Sequence, residues 1–114
     1  MPRERPIHWL GSSLKDIQAF PAEVRKEAGY QLHRIQNGFK ASDVKSFSAV
    51  GKGVEEVRLD NADGTYRVMY IARSFEAVFV LHCFRKKTQR TAKVDINIAR
   101  ARFRSISKIG FRAS

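Results

Sequence analysis

Val54-Glu55-Glu56-Val57-Arg58-Leu59, then Asn61-Ala62-Asp63-Gly64, then Thr65-Tyr66-Arg67-Val68-Met69-Tyr70-Ile71, is the passage on which the fold turns. Both outer segments alternate with period two, and the middle one has turn composition, so the three together predict a β-hairpin. Val57 and Leu59 share one face with Tyr66, Val68 and Tyr70. Glu56 and Arg58 share the other with Arg67, Met69 and Ile71. Joining the two apolar faces fixes the register, because a slip of one residue would turn Val57 and Leu59 outward. A four-residue turn then sets Arg58 directly opposite Arg67. Like charges facing one another across strands cost stability. Either an anion or a nearby carboxylate such as Glu56 neutralises this pair, or the two guanidiniums splay into water.

Downstream, Ala77–Phe84 is apolar on both faces, as in a central or well-covered strand. The cationic run Arg85-Lys86-Lys87-Thr88-Gln89-Arg90-Thr91 follows at once. Cations fixed at the end of a rigid strand can be aimed at a phosphate. A last helix is expected from about Ala92 to Ile106 with Thr91 as N-cap, Ile96, Ala99, Phe103 and Ile106 inward, and Lys93, Arg100 and Arg104 outward. From Gly110 onward, with Phe111, a frayed tail is expected, flexible over about residues 107–114.

Upstream, Ile7-His8-Trp9-Leu10 suggests a first strand. Ser13 and Asp16 fit a capping box opening a short helix, with Leu14, Ile17 and Phe20 inward. Pro21 suits the first turn of a second helix running to about Gln36, with Val24, Ala28, Leu32 and Ile35 on one face. Gly38 is its expected left-handed stop. The stretch from Ala41 to Gly53 reads as a loop with a packed anchor, carrying Lys45 and Lys52 toward the strands. Two helices, an antiparallel meander and a closing helix make an α+β domain spanning residues 1–114, without internal repeats.

Charge narrows the class of partner. Of 22 Lys and Arg against 11 acids, ten basic residues and one acid lie between Arg85 and Ser114. That leaves +9 in those thirty residues and +2 in the rest of a chain of formal net charge +11. Such a concentration attracts polyanions, RNA or DNA first among them. No run approaches the ~20 apolar residues of a membrane span, and the polar N-terminus lacks a secretory apolar region, so a cytoplasmic protein is expected. The single cysteine, Cys83, reads as a buried small hydrophobe. His8, His33 and His82 are far apart, and no spacing resembles a metal site, a phosphate-binding glycine loop or a dinucleotide fingerprint. No cofactor is expected.

The segments Gly53-Val54-Glu55-Glu56-Val57-Arg58, Gly64-Thr65-Tyr66-Arg67-Val68-Met69-Tyr70 and Val80-Leu81-His82-Cys83-Phe84-Arg85-Lys86-Lys87-Thr88-Gln89-Arg90-Thr91, in that order, resemble the phage-derived branch of the HigB-like toxins. That branch belongs to the RelE/ParE superfamily of type II toxin–antitoxin systems. The resemblance covers most of the chain, from Trp9 to Arg102. It implies a small α+β toxin with an N-terminal helical hairpin and a C-terminal helix packed on one face of a small twisted, mainly antiparallel sheet. It implies a metal-independent endoribonuclease that cuts mRNA in the ribosomal A site and is neutralised by a cognate antitoxin, commonly a helix-turn-helix, HigA-like protein.

Carried over by position, Arg67 matches the strand arginine that RelE-like toxins use at the scissile phosphate. Lys86 and Lys87 match the basic cluster after the strand, and Lys45 and Lys52 match, loosely, the basic residues before the hairpin. Arg58, by its place opposite Arg67, joins the catalytic candidates. Arg85, Arg90, Lys93, Arg100 and Arg104 are candidates for RNA binding. The chemistry agrees: when a 2′-hydroxyl attacks the adjacent phosphate, charge builds on the phosphoryl oxygens, and fixed cations stabilise it most in the transition state. The general base is open, with His82 or a lysine of lowered pKa as candidates. Two other readings stand beside this one: a ParE-like gyrase inhibitor, which would damage DNA without cutting mRNA, and a non-catalytic basic nucleic-acid-binding domain, which would bind without cleaving.

Overall fold

The computed structural model describes residues 4–62, 64–73 and 76–108, the side chains of Ser107 and Lys108 excepted. The elements are β1 (Ile7–Trp9), α1 (Ser13–Gln18), α2 (Ala22–Gln36), β2 (Val44–Ser46), β3 (Glu55–Asn61), β4 (Gly64–Arg73), β5 (Ala77–Lys86) and α3 (Lys93–Lys108). The expected α+β architecture is observed: one five-stranded sheet in the order β1-β5-β4-β3-β2. β1 runs parallel to β5, and the other neighbours are antiparallel.

The hairpin register is the one the alternation demands. Val57 faces Val68, Leu59 faces Tyr66, and Arg58 faces Arg67. On this apolar side, Ile17 of α1 and Val24, Ala28, Leu32 and Ile35 of α2 pack against Val57, Leu59, Tyr66, Val68 and Tyr70. The Phe20 and Tyr66 rings meet at 4.9 Å between centroids. The helices do not all lie on one face. α3 covers the opposite side, where Ala99 and Ile106, with Ile96 and Phe103 against them, pack on Met69, Ile71, Phe79, Leu81 and Phe84. β5 is apolar on both faces because each face has its own helical layer.

Five local expectations shift, the first being Leu14, which is exposed rather than inward. Ala41–Gly53 is not all loop, since Val44–Ser46 forms the edge strand β2 and sets Lys45 opposite Glu56. The capping residue of α1 is Ser12, whose hydroxyl donates to Asp16 at 2.7 Å. Ser13 is fully buried and instead donates to the Val80 carbonyl at 3.2 Å, tying α1 to β5. Pro21 is the N-cap of α2 rather than a first-turn residue, and its carbonyl accepts the Arg25 amide at 2.8 Å. α3 starts after Ala92, whose carbonyl accepts the Asp95 and Ile96 amides, and it extends past Ile106 to Lys108. The expectations for Gly110 and Phe111 lie outside the described residues.

α2 ends as its sequence predicts. Gly38 adopts φ 86°, its amide donates to Ile35 and the Phe39 amide donates to Arg34, which together form a Schellman cap. Among the described residues, no helix is long and apolar enough to cross a membrane.

Candidate functional site

Strand pairing alone assembles the site. On the α3 side of the sheet, three adjacent rows run across the strands: Lys45, Glu56, Met69 and His82; Arg58, Arg67 and Phe84; Asp60, Thr65 and Lys86. Side chains directly opposite in such rows lie about 5 Å apart, so cations and carboxylates from four strands share one patch. The apolar half of this face accepts α3. The polar half, toward the hairpin turn, is left for the basic segment after β5, where the Thr88 hydroxyl donates to the Arg90 carbonyl.

Between that segment and the sheet lies a cavity of about 300 Å³ lined by Lys45, Glu56, Arg58, Lys86, Gln89 and Arg90, with Phe47, Thr91 and Ile96 completing its wall. Four cations therefore surround one carboxylate. Arg58 is exposed and bonds Asp43 through Nε at 3.0 Å, with both side chains about half in solvent. An exposed pair of this kind is weak and easily exchanged for another anion.

Arg67 is held differently. Its side chain is only 6% exposed, its Nη1 donates to Asp60 Oδ1 at 2.9 Å and to the Tyr66 carbonyl at 2.8 Å, and its Nε lies 3.7 Å from Glu56 Oε1. That last separation is an ion pair, too long for a hydrogen bond. The Arg58–Arg67 opposition is thus relieved by carboxylates, Asp43 for one guanidinium and Asp60 with Glu56 for the other.

Glu56 is 2% exposed, and its Oε2 makes no hydrogen bond among the described residues. Burial pushes its carboxyl above its ordinary value, against the opposing pull of Arg67, Lys86, Lys45 and Arg58.

The other candidates separate. Lys87 and Arg85 line a neighbouring hollow of about 450 Å³ with Thr88, Ala92, Val94 and Asp95, so the Lys86-Lys87 pair serves two different surfaces. Lys52 is exposed in the β2–β3 loop, and Lys93 and Arg104 are exposed on α3, all three outside the cavity lining. Arg100 donates through Nε to the Ala49 carbonyl at 2.8 Å, clipping α3 to the loop before β3.

His82 is buried between sheet and helix, bonded through Nε2 to Asp95 at 2.8 Å and stacked on Phe84 at 4.7 Å. Burial holds it below its ordinary value although Asp95 pulls the other way. The ring does not line the cavity. Cys83 and Tyr70 are kept neutral by burial, which raises both above their ordinary values, and the Tyr70 hydroxyl donates to Glu55 at 2.7 Å on the opposite face. Among the described residues, no three His, Cys, Asp or Glu side chains are placed to share a metal ion.

Sequence reasoning gave Glu56 only the part of a neutralising neighbour and passed over Gln89 and Phe47. Glu56 stands out only once β2 brings Lys45 beside it and the basic segment folds over it. The family model described as phage derived protein Gp49-like (DUF891) matches residues 15–104, which include every cavity-lining residue. No curated protein matches the chain.

Proposed function

The chain belongs to the phage-derived Gp49-like family, and we propose that it is the toxin of a type II toxin–antitoxin system that cuts mRNA on the ribosome. Association of the family with toxins of such systems supports the class. The observation that carries the chemistry is the cavity, in which Lys45, Arg58, Lys86 and Arg90 converge around a buried carboxylate. A phosphodiester seated there has ammonium and guanidinium groups on several sides. As the 2′-oxygen attacks, negative charge grows on the phosphoryl oxygens, and cations already fixed in place stabilise it without reorganising. Arginine adds orientation, because its planar fork binds two phosphate oxygens at once.

Arg67 acts from beneath the cavity. For a phosphate to reach it, Asp60 must give way, and Asp60, with 59% of its side chain in solvent, is the easier of its two carboxylate partners to displace. Lys52, Lys87, Lys93 and Arg104, outside the lining, are assigned to the surrounding ribosomal and messenger RNA. Much of the acceleration comes from the ribosome holding the mRNA in an attack geometry, so cleavage of free RNA is slow. A helix-turn-helix antitoxin is the proposed neutralising partner.

Induced expression in a bacterial host, with growth recorded and mRNA 5′-ends mapped, tests this reading. Growth arrest with new ends inside translated codons, both lost with Lys86→Ala, is the expected result. Arrest with intact mRNA and damaged DNA would replace it with gyrase inhibition.

A further inference from the structure

Arg58 and Arg67 face each other on β3 and β4, and each is tied down by an aspartate that stands outside the cationic cavity. Arg58 Nε donates to Asp43 Oδ1 at 3.0 Å, and Arg67 Nη1 donates to Asp60 Oδ1 at 2.9 Å. Both aspartates line a second hollow of about 420 Å³ between α2 and the edge of β3, where Glu23 and Glu27 also open. Arg58 lines that hollow and the cationic cavity alike, so rotation of its side chain carries its guanidinium from one to the other. A carboxylate and a phosphate bind a guanidinium through the same N–H groups, so at a given edge one excludes the other.

Resting on the RNA-cleavage reading above, we infer that Asp43 and Asp60 form an autoinhibitory latch. In the RNA-free chain they occupy donors of Arg58 and Arg67, and RNA engages both arginines only by displacing them. Each aspartate side chain is about half or more in solvent, 52% for Asp43 and 59% for Asp60, so release costs little and the hollow receives the freed groups. Glu56 is no part of the latch, since it is buried beside Arg67 and remains as its counter-charge when Asp60 leaves.

Opening leaves the sheet intact. The Asp43 backbone carbonyl accepts the Arg58 amide at 2.9 Å, a bond that does not involve the aspartate side chain. The cost of the latch falls on affinity. A site that is open for only a fraction of the time binds with an apparent Kd raised by the reciprocal of that fraction. Exposed ion pairs are weak, so the latch lowers RNA affinity several-fold and does not abolish binding.

The test is the affinity of the purified full-length chain for a short fluorescent RNA of 2′-O-methyl riboses, which cannot be cut, read by anisotropy at fixed salt. Asp43→Asn should tighten binding about two- to sixfold, the range to which an exposed ion pair corresponds, and Asp60→Asn by at least as much. Glu23→Gln removes the same charge from the same hollow but frees neither arginine, so it should change affinity by less than about twofold. The gain from Asp43→Asn should vanish when Arg58 is already alanine, because the latch acts through that side chain. Wild-type affinity in both asparagine variants overturns the inference. So does a gain that persists in Arg58→Ala or is matched by Glu23→Gln, which marks a general effect of charge. Should Asp43→Asn unfold early, Asp43→Ser in the same cycle decides. Because the readout is binding, a wild type that cuts no mRNA on ribosomes overturns the endoribonuclease reading without altering this result, whereas a wild type that binds no RNA overturns both.

Discussion

Arg67 and Lys86 are both cations of the candidate site, yet they answer different questions when removed. Arg67 is buried with two carboxylates, so Arg67→Ala leaves Glu56 buried without its nearest counter-charge. Breaking a buried pair on one side costs about 3–5 kcal/mol, and a urea melt of Arg67→Ala should show a loss of that order. A loss below about 1 kcal/mol would mean that the pair contributes little. Lys86 is half-exposed at the cavity wall, so Lys86→Ala should change stability by less than about 1 kcal/mol while slowing cleavage about 10²-fold. Lys86→Ala is therefore the cleaner probe of activity. Arg67→Ala mixes activity with folding, a consequence of burial that an arginine on the polar face of an alternating strand does not announce.

At the scale of elements, the hairpin was legible because two alternating segments around a turn admit a single register, which also sets Arg58 opposite Arg67. The two long helices were legible from Val24, Ala28, Leu32 and Ile35 and from Ile96, Ala99, Phe103 and Ile106, each set at helical spacing. β2 was not, since Val44, Lys45 and Ser46 are too few to display a period. Glu56 and Lys45 could not be paired without it. Nor does a stripe of apolar residues say which face of the sheet it covers, so the placement of α3 opposite the other helices emerges only in three dimensions.

The α2 terminus supplies a direct test: Gly38 holds φ 86°, and a methyl group there would meet nothing within 4 Å. Gly38→Ala should thus cost about 1–2 kcal/mol from backbone strain alone, measurable by thermal or urea unfolding. The docking of α3 supplies a second. His82 is held neutral in the folded chain below its ordinary value of 6.5, whereas the unfolded chain protonates near that value. The stability this contributes is complete above about pH 6.5 and is lost as pH falls through the folded-state pKa. Wild type should lose up to about 1.4 kcal/mol per pH unit more than His82→Gln over that acid window. Parallel curves for the two proteins would refute the assignment.

Over the whole molecule, a net charge of +11 gives the chain a long-range attraction for RNA that is independent of the cavity's fine geometry. If the four cavity cations Lys45, Arg58, Lys86 and Arg90 neutralise RNA phosphates, binding to a single-stranded RNA should fall with salt at a log–log slope of about −3 or steeper. Lys86→Ala should flatten the slope by about 0.7. An unchanged slope would remove Lys86 from the contact. On the proposed reading, general charge draws the chain to the ribosome, and the cavity selects one phosphodiester there.

The central claim, cleavage that depends on the ribosome, is tested most directly by mixing the purified chain with one defined mRNA, free in one tube and seated on translating ribosomes in the other, and mapping every new 5′-end. The account predicts ends confined to the ribosome-bound sample, within the codon in the A site, and lost with Lys86→Ala. Intact mRNA in both tubes, from a protein that still arrests growth when expressed, would contradict it.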